Sequence, residues 1–165
     1  GNTVLPDILM GTLSKALGAE GGYACAGKVI IEYLKNKARS FIFATSQTPA
    51  TLAAALRAIE VLEEKPQRAQ KLQHNVEFFL NALHAEGVEA YSPTAIIPII
   101  IGDEKSALQV ADELLANGVL APAIRYPTVA KGTARLRIAL MATHTEAELS
   151  QTAKLIGAAI RKYKN

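Results

Sequence analysis

Between residues 67 and 85 the apolar side chains Leu72, Val76, Phe79, Leu80 and Leu83 recur at helical spacing along one face. That stripe predicts a strongly amphipathic helix, ended by Gly87. Beyond it, Ile96–Ile101 predicts a strand whose Pro98 favours an edge or a bulge. Residues 104–117 predict a helix stopping at Asn117-Gly118, and residues 119–123 an extended segment. Arg135–Met141 alternates polar and apolar side chains, as a strand with one wet face does. Thr145-Glu146-Ala147-Glu148 reads as a capping box opening a final helix. The predicted order after residue 65 is helix, strand, strand, helix, strand, strand, helix. That order gives a compact α+β unit with a mostly antiparallel sheet.

Glu63-Glu64-Lys65-Pro66 marks a break, and residues 1–64 follow a different plan. Ile8–Met10 and Tyr23–Ala26 predict two buried strands on either side of a loop rich in glycine and small hydroxyls, Gly11–Gly22. Residues 28–38 predict a helix, Phe41-Ile42-Phe43 an extended stretch, and Pro49 the first turn of a helix reaching about residue 64. Two domains are therefore expected, 1–64 and 65–165. No internal repeat or low-complexity stretch interrupts them.

Composition narrows the function. Half of the 165 residues are hydrophobic and 20% charged, as in an ordinary globular protein. The net charge of +3 is spread along the chain apart from Arg161, Lys162 and Lys164, and no basic-aromatic stripe appears, so no nucleic acid is expected as a partner. No run of ~18 apolar residues suggests a membrane span, and Gly1–Asp7 puts no basic head before an apolar stretch, as a signal peptide would. The single Cys25 excludes an internal disulfide and suits a reducing cytoplasm; it is expected as a small core residue. His74 and His84 lie ten residues apart without a third ligand, and His144 precedes the last helix, so no metal site is expected. Glu63-Glu64 and Asp103-Glu104 read as solvated charge at element ends.

The chemistry concentrates at Lys15. The Walker A pattern fails, because Lys15 follows Ser14 and precedes Ala16, and the glycines at 11, 18, 21 and 22 miss the dinucleotide spacing. A Schiff-base lysine fits better. Burial beside a cofactor can lower the pKa of its amine, hydroxyls such as Thr12 and Ser14 can hold a phosphate, and glycines let a ring lie close to the backbone. From composition alone, a surface lysine in a turn would read the same way.

A resemblance decides between them. The segment Asp7–Tyr23, with Gly11-Thr12-Leu13-Ser14-Lys15-Ala16-Leu17-Gly18, is similar to the cofactor-lysine segment of the α-oxoamine synthases, fold-type-I enzymes dependent on pyridoxal 5'-phosphate (PLP). The similarity continues through Arg39–Ser46 and Pro49-Ala50, Ile97-Pro98-Ile99, Ala121–Val129 and Gly132–Ile138, in the same order and over essentially the whole chain. It implies an α/β fold: the end of a large PLP-binding domain followed by an α+β small domain. It implies a homodimer with the active site at the subunit interface.

The resemblance also implies roles. Lys15 forms the Schiff base with PLP and moves the proton at the amino-acid Cα. Thr12 and Ser14 contact the cofactor phosphate or its surroundings, and Thr45 and Ser46 reach the phosphate in the partner subunit. Arg137 binds the substrate carboxylate and Thr128 contacts substrate; Arg125 is a weaker candidate, and Arg135 belongs to a solvated sheet face. Within the family the segment Pro122–Val129 is most similar to the branch that condenses L-alanine with a pimeloyl thioester to 8-amino-7-oxononanoate in biotin biosynthesis, with decarboxylation. Two departures stand in that segment's neighbourhood: Tyr126 where proline is usual, as in the aminolevulinate branch, and Ala130-Lys131 where proline and a small residue are usual. Glycine C-acetyltransfer and aminolevulinate synthesis are therefore the alternatives within the family. Outside it stand an inactive folded fragment and a phosphate- or acyl-carrier-binding module. Family chains are roughly twice this length or more, so the segment is expected to be a carboxy-terminal part, inactive without the ring-stacking residue and the aspartate at the pyridine nitrogen.

Overall fold

The periodicities after residue 65 are realised in a computed structural model that describes residues 6–163. Residues 1–5 of the opening stretch and Lys164 of the basic tail lie outside the described residues. The chain divides into two units, Gly1–Lys65 and Pro66–Asn165.

In the second unit α4 (Gln67–Ala85) buries Val76, Phe79 and Leu83, with Leu72 and Leu80 half-buried beside them. β3 (Ile96–Gly102), β4 (Ala123–Ile124) and β5 (Ala134–Ala139) form an antiparallel sheet in the order β3-β5-β4. Pro98 thus falls on an edge strand, and the register shifts between Ile100 and Gly102. α5 (Glu104–Ala116) lies against all three strands, and α6 (Glu146–Tyr163) packs on both α4 and α5. Ile97, Ile99, Ile101, Leu136 and Ile138 point into this core, while Ile96, Ile100, Arg137 and Ala139 face outward. Each large side chain so buried contributes about 1.5–3 kcal/mol.

The caps form as the sequence requires. Glu148 accepts from the Thr145 N–H at 2.8 Å, and Thr145 Oγ1 accepts from the Glu148 N–H at 3.3 Å. Asp103 caps α5 by accepting from the Ser106 N–H at 2.7 Å. Buried Asn75 donates to the carbonyls of Met141 (2.9 Å) and His144 (3.0 Å), pinning the turn after β5 to α4. One expected strand is missing between α4 and α5. Residues 88–95 run instead as an irregular segment that Ser92 organises by donating to Ile96 O at 2.7 Å.

In the first unit β1 (Ile8–Thr12) pairs antiparallel with β2 (Gly22–Ala26), and α1 (Lys28–Lys37) follows. Phe41-Ile42 is helical, not extended: α2 (Arg39–Ile42) forms one turn, closed by the Phe43 N–H on Arg39 O. The aromatic residues suggested a strand, but this local turn satisfies the backbone. α3 (Pro49–Glu64) starts at Pro49, with Thr48 accepting from the Thr51 N–H. The two strands were expected to be buried. Instead Ile8, Leu9, Met10 and Tyr23 are exposed, Met10 by 78%, and so is Cys25. Among the described residues of this unit, only Leu13, Ala19 and Ala55 form a buried cluster. Glu64 is not merely solvated, since both its carboxylate oxygens accept from Arg57.

Candidate functional site

Lys15 sits in the nine residues that join β1 to β2. The base of this loop is closed by Leu13 N–H on Gly21 O at 2.9 Å, and a tight turn by Gly18 N–H on Lys15 O at 3.0 Å. Leu13 and Ala19 tuck against Ala55 of α3, with Leu17 beside them, so the apolar residues of the loop fasten it down. The polar ones then face out. Thr12 Oγ1 and Ser14 Oγ stand 2.7 Å apart, and the Ser14 N–H donates to Thr12 Oγ1. Lys15 is exposed.

Two glycines are dictated by close neighbours. A Cβ on Gly11 would lie 2.5 Å from the Tyr23 ring, which crosses the strand there. Gly21, at φ +108°, would meet the side-chain amide of Gln47 at 2.6 Å. Gln47 thus rests on the lysine loop, and Thr45 and Ser46 lie exposed just before it in the stretch between α2 and α3. Sequence reasoning missed Gln47, because only the fold sets it against Gly21.

These residues fit PLP. A phosphate needs donors such as hydroxyls, which the Thr12–Ser14 pair offers in one place. An aldehyde needs an accessible amine, which Lys15 presents directly after Ser14.

In the second unit Arg137 lies on the outward face of the central strand β5, opposite Pro98 of β3, with its N–H donating to Pro122 O at 3.0 Å. It is exposed, and it borders a groove of about 590 Å³ whose walls include Leu120, Pro122, Met141 and Leu155. Strand periodicity gave no sign of that groove, which opens where β4 ends and leaves the far half of β5 uncovered. Thr128 is exposed in the β4–β5 loop, its N–H donating to Arg125 O at 3.0 Å. Arg135 shares the outward face of Arg137 and donates Nε to Thr133 O at 3.0 Å. The histidines serve the fold. His74 bonds Glu146 at 2.8 Å, His84 bonds Ala90 O, and His144 Nδ1 accepts from the Met141 N–H. Among the described residues no group of three or more His, Cys, Asp or Glu is placed to hold a metal ion. No helix in the described residues is long and apolar enough to cross a membrane.

The family model for aminotransferase class I and II matches residues 2–156. The chain belongs to the aminotransferase class I and II family. Family members of known name fall where the lysine segment pointed. The chain is 48% identical over 150 residues to 8-amino-7-oxononanoate synthase 1 of Bacillus subtilis, covering 90% of this chain and 38% of that protein. It is 46% identical to the 8-amino-7-oxononanoate synthase of Geobacter metallireducens, covering 92% and 40%. Among solved structures, the 8-amino-7-oxononanoate synthase of Francisella tularensis superposes with a TM-score of 0.82 at 30% identity, covering 94% of this chain and 46% of that one. The serine palmitoyltransferase of Sphingomonas wittichii gives 0.87 at 27%, covering 95% and 40%. A serine palmitoyltransferase structure with PLP as its internal aldimine gives 0.87 at 28%, with the same coverage. The resemblance to the α-oxoamine synthases, the α/β aminotransferase fold and PLP as the family's cofactor all agree with these matches. The chain spans about two fifths of the length of the curated relatives it matches.

Proposed function

We propose that this chain carries the cofactor lysine and the carboxylate-binding arginine of a PLP-dependent acyltransferase. That enzyme condenses L-alanine with a pimeloyl thioester and releases CO2. The observation that carries the reading is the lysine loop: an exposed Lys15 beside the paired hydroxyls of Thr12 and Ser14, in a chain 48% identical to an 8-amino-7-oxononanoate synthase. Residues 1–64 are the end of the large domain and residues 65–165 the small domain.

PLP, when bound, withdraws the electron pair left at the amino-acid Cα. Every other task falls to side chains. Lys15 would hold the cofactor until the amino group of alanine displaces it, and its freed amine would then take the proton from Cα and later return one to the same carbon. Between those transfers Cα bonds the acyl carbon, the C–S bond breaks and the thiol leaves; the carboxylate then departs as CO2. Arg137 holds that carboxylate through two parallel N–H bonds, which a planar guanidinium supplies and an ammonium cannot. Thr128 contacts substrate beside it. Thr12 and Ser14 hold the phosphate with donors from their own subunit, and Thr45 and Ser46 reach the phosphate of the partner in a homodimer. The enzyme works in the cytoplasm. The 165 residues alone catalyse nothing, because the ring-stacking residue and the aspartate at the pyridine nitrogen belong to the rest of the family fold.

The test is product analysis with the complete protein, PLP and a pimeloyl thioester. L-Alanine should yield 8-amino-7-oxononanoate and one CO2 per turnover, while glycine and L-serine yield far less. Faster turnover of glycine with acetyl-CoA or succinyl-CoA would move the protein to another branch of the family.

A further inference from the structure

Gly21 closes the lysine loop, and three neighbours hold it. Its carbonyl accepts the Leu13 N–H at 2.9 Å and the Thr12 hydroxyl at 3.3 Å. Its Cα is covered by the Gln47 carboxamide, whose Nε2 lies 2.6 Å from where a Cβ would stand. At φ +108° the backbone suits glycine and strains other residues. A glycine there has no side chain to fix it, so its position is set by what touches it. Leu13 is anchored within the loop, in the buried cluster with Ala19 and Ala55. Gln47 supplies a contact from outside the loop, out of the stretch between α2 and α3.

The hydroxyl protons make that position matter. Thr12 and Ser14 carry one O–H proton each. Thr12 Oγ1 lies 2.7 Å from Ser14 Oγ and accepts from the Ser14 N–H at 3.2 Å. While Thr12 donates to Gly21 O, the 2.7 Å contact takes the Ser14 proton, and the pair has none left for an anion. When Thr12 donates to Ser14 instead, the Ser14 proton is free for an anion. Gly21 O then keeps the shorter bond from the Leu13 N–H, so no acceptor is stripped. The bond from Thr12 to Gly21 is the longest contact at this hydroxyl, at 3.3 Å, beyond the roughly 2.5–3.0 Å of a strong O–H···O bond. The Thr12 proton is therefore weakly held, as long as Gly21 stays where Gln47 keeps it.

We propose that Gln47 is a positioning residue for the phosphate end of the cofactor. It holds the Gly21 carbonyl too far from Thr12 to retain the proton that the hydroxyl pair needs for a phosphate. This rests on the reading of the lysine loop as a PLP site. Without Gln47 the glycine can follow Thr12, shorten that bond and keep the proton. The test is equilibrium dialysis of the complete protein, free of cofactor, against PLP, pyridoxal and inorganic phosphate. Gln47→Ala should weaken PLP and inorganic phosphate alike, roughly fivefold, the size of one hydrogen bond between neutral groups. Pyridoxal, which has no phosphate, should bind both proteins equally. Gln47→Met keeps a side chain of similar length on Gly21 and should restore most of the affinity. Thr12→Val removes the hydroxyl but keeps the shape, and in that background Gln47→Ala should change PLP binding little. Equal PLP affinity in wild type and Gln47→Ala overturns the proposal. So does an equal loss of PLP and pyridoxal, which marks a distorted loop. A Gln47→Met variant as weak as Gln47→Ala, or a full Gln47→Ala effect in the Thr12→Val background, also overturns it. A wild type that binds PLP no more tightly than pyridoxal removes the phosphate site itself. Tight wild-type PLP binding that ignores Gln47 sinks this inference alone.

Discussion

The two units of the chain bury their apolar residues to different degrees. Among the described residues of Pro66–Asn165, nineteen side chains form one buried cluster, drawn mostly from α4, α5, α6 and the inward faces of β3 and β5. Among the described residues of Gly1–Lys65 the buried cluster is Leu13, Ala19 and Ala55. Its larger apolar residues, including Met10, Val29, Phe41, Phe43 and Leu56, are exposed. Both units have the local patterns of regular structure. In the second the main apolar faces of α4, α5, α6 and the sheet meet partners that the chain itself supplies, although Ile96 and Ile100 of β3 stay exposed. Periodicity says which face of an element wants covering; it does not say whether the cover lies within the same stretch of sequence. The lysine loop belongs to the unit whose apolar faces stay open.

The largest expected effect falls on that loop. Lys15→Ala in the complete protein removes both the cofactor bond and the proton carrier, so turnover should drop by several orders of magnitude in a steady-state assay. A loss under tenfold would leave Lys15 an ordinary turn residue.

Next comes the contrast in burial. Phe79→Ala empties a fully buried site and should cost about 3–5 kcal/mol in denaturant titration. Leu52→Ala in the 165-residue chain should change stability by no more than about 0.5 kcal/mol, because Leu52 is exposed there. In the complete protein the same Leu52 substitution should cost about 2 kcal/mol or more if the remainder of the family fold covers this face. Equal small effects in both contexts would mean the face stays open.

Arg137→Lys keeps the charge but loses the two-pronged geometry. It should raise the L-alanine requirement roughly tenfold to a hundredfold, from the partial loss of a contact of ~1.5–3 kcal/mol. Thermal melts should barely move, since Arg137 is exposed. Arg135→Lys should do much less to alanine. A collapsed melt with unchanged alanine affinity would make Arg137 a sheet residue.

The smallest effect is on acid stability, and it is confined to the second unit. The Thr145 N–H and hydroxyl hold the Glu148 carboxyl below its usual range, and the Ser106 N–H does the same for Asp103. His74 lowers Glu146, and Lys162 lowers Glu113. A carboxylate with a depressed folded-state pKa contributes stability above its unfolded pKa of about 4, and that contribution disappears as the pH falls through the depressed value. Melting of the second unit should therefore be flat with respect to these groups from pH 7 to about 5 and fall below about 4. Glu148→Gln should blunt the fall. An unchanged profile in that variant would show that the cap does not titrate with folding.

Much of this was legible in the sequence. The stripe from Leu72 to Leu83, the Thr145–Glu148 box and Pro49 each act within one or two helical turns, so short-range chemistry decided them. Thr12, Ser14 and Lys15 were legible as a motif, and the Thr12–Ser14 hydroxyl pair is a contact two residues apart. What escaped depends on distant partners or on a choice between two local structures. Phe41-Ile42 took a helical turn because backbone bonds to Ala38 were available. Cys25 looked like core and is exposed, because its strand has no cover among the described residues. Gln47 against Gly21, and Lys131 over Tyr126, follow from loop paths that no periodicity encodes.

The central claim is that Lys15 carries the cofactor. The direct measurement is borohydride reduction of the complete protein after incubation with PLP, followed by peptide mapping. The account predicts loss of the visible absorption band and a single phosphopyridoxyl group, on the peptide containing Ser14-Lys15-Ala16, with none in Lys15→Ala. A label on any other lysine, or an undiminished label in Lys15→Ala, would contradict it.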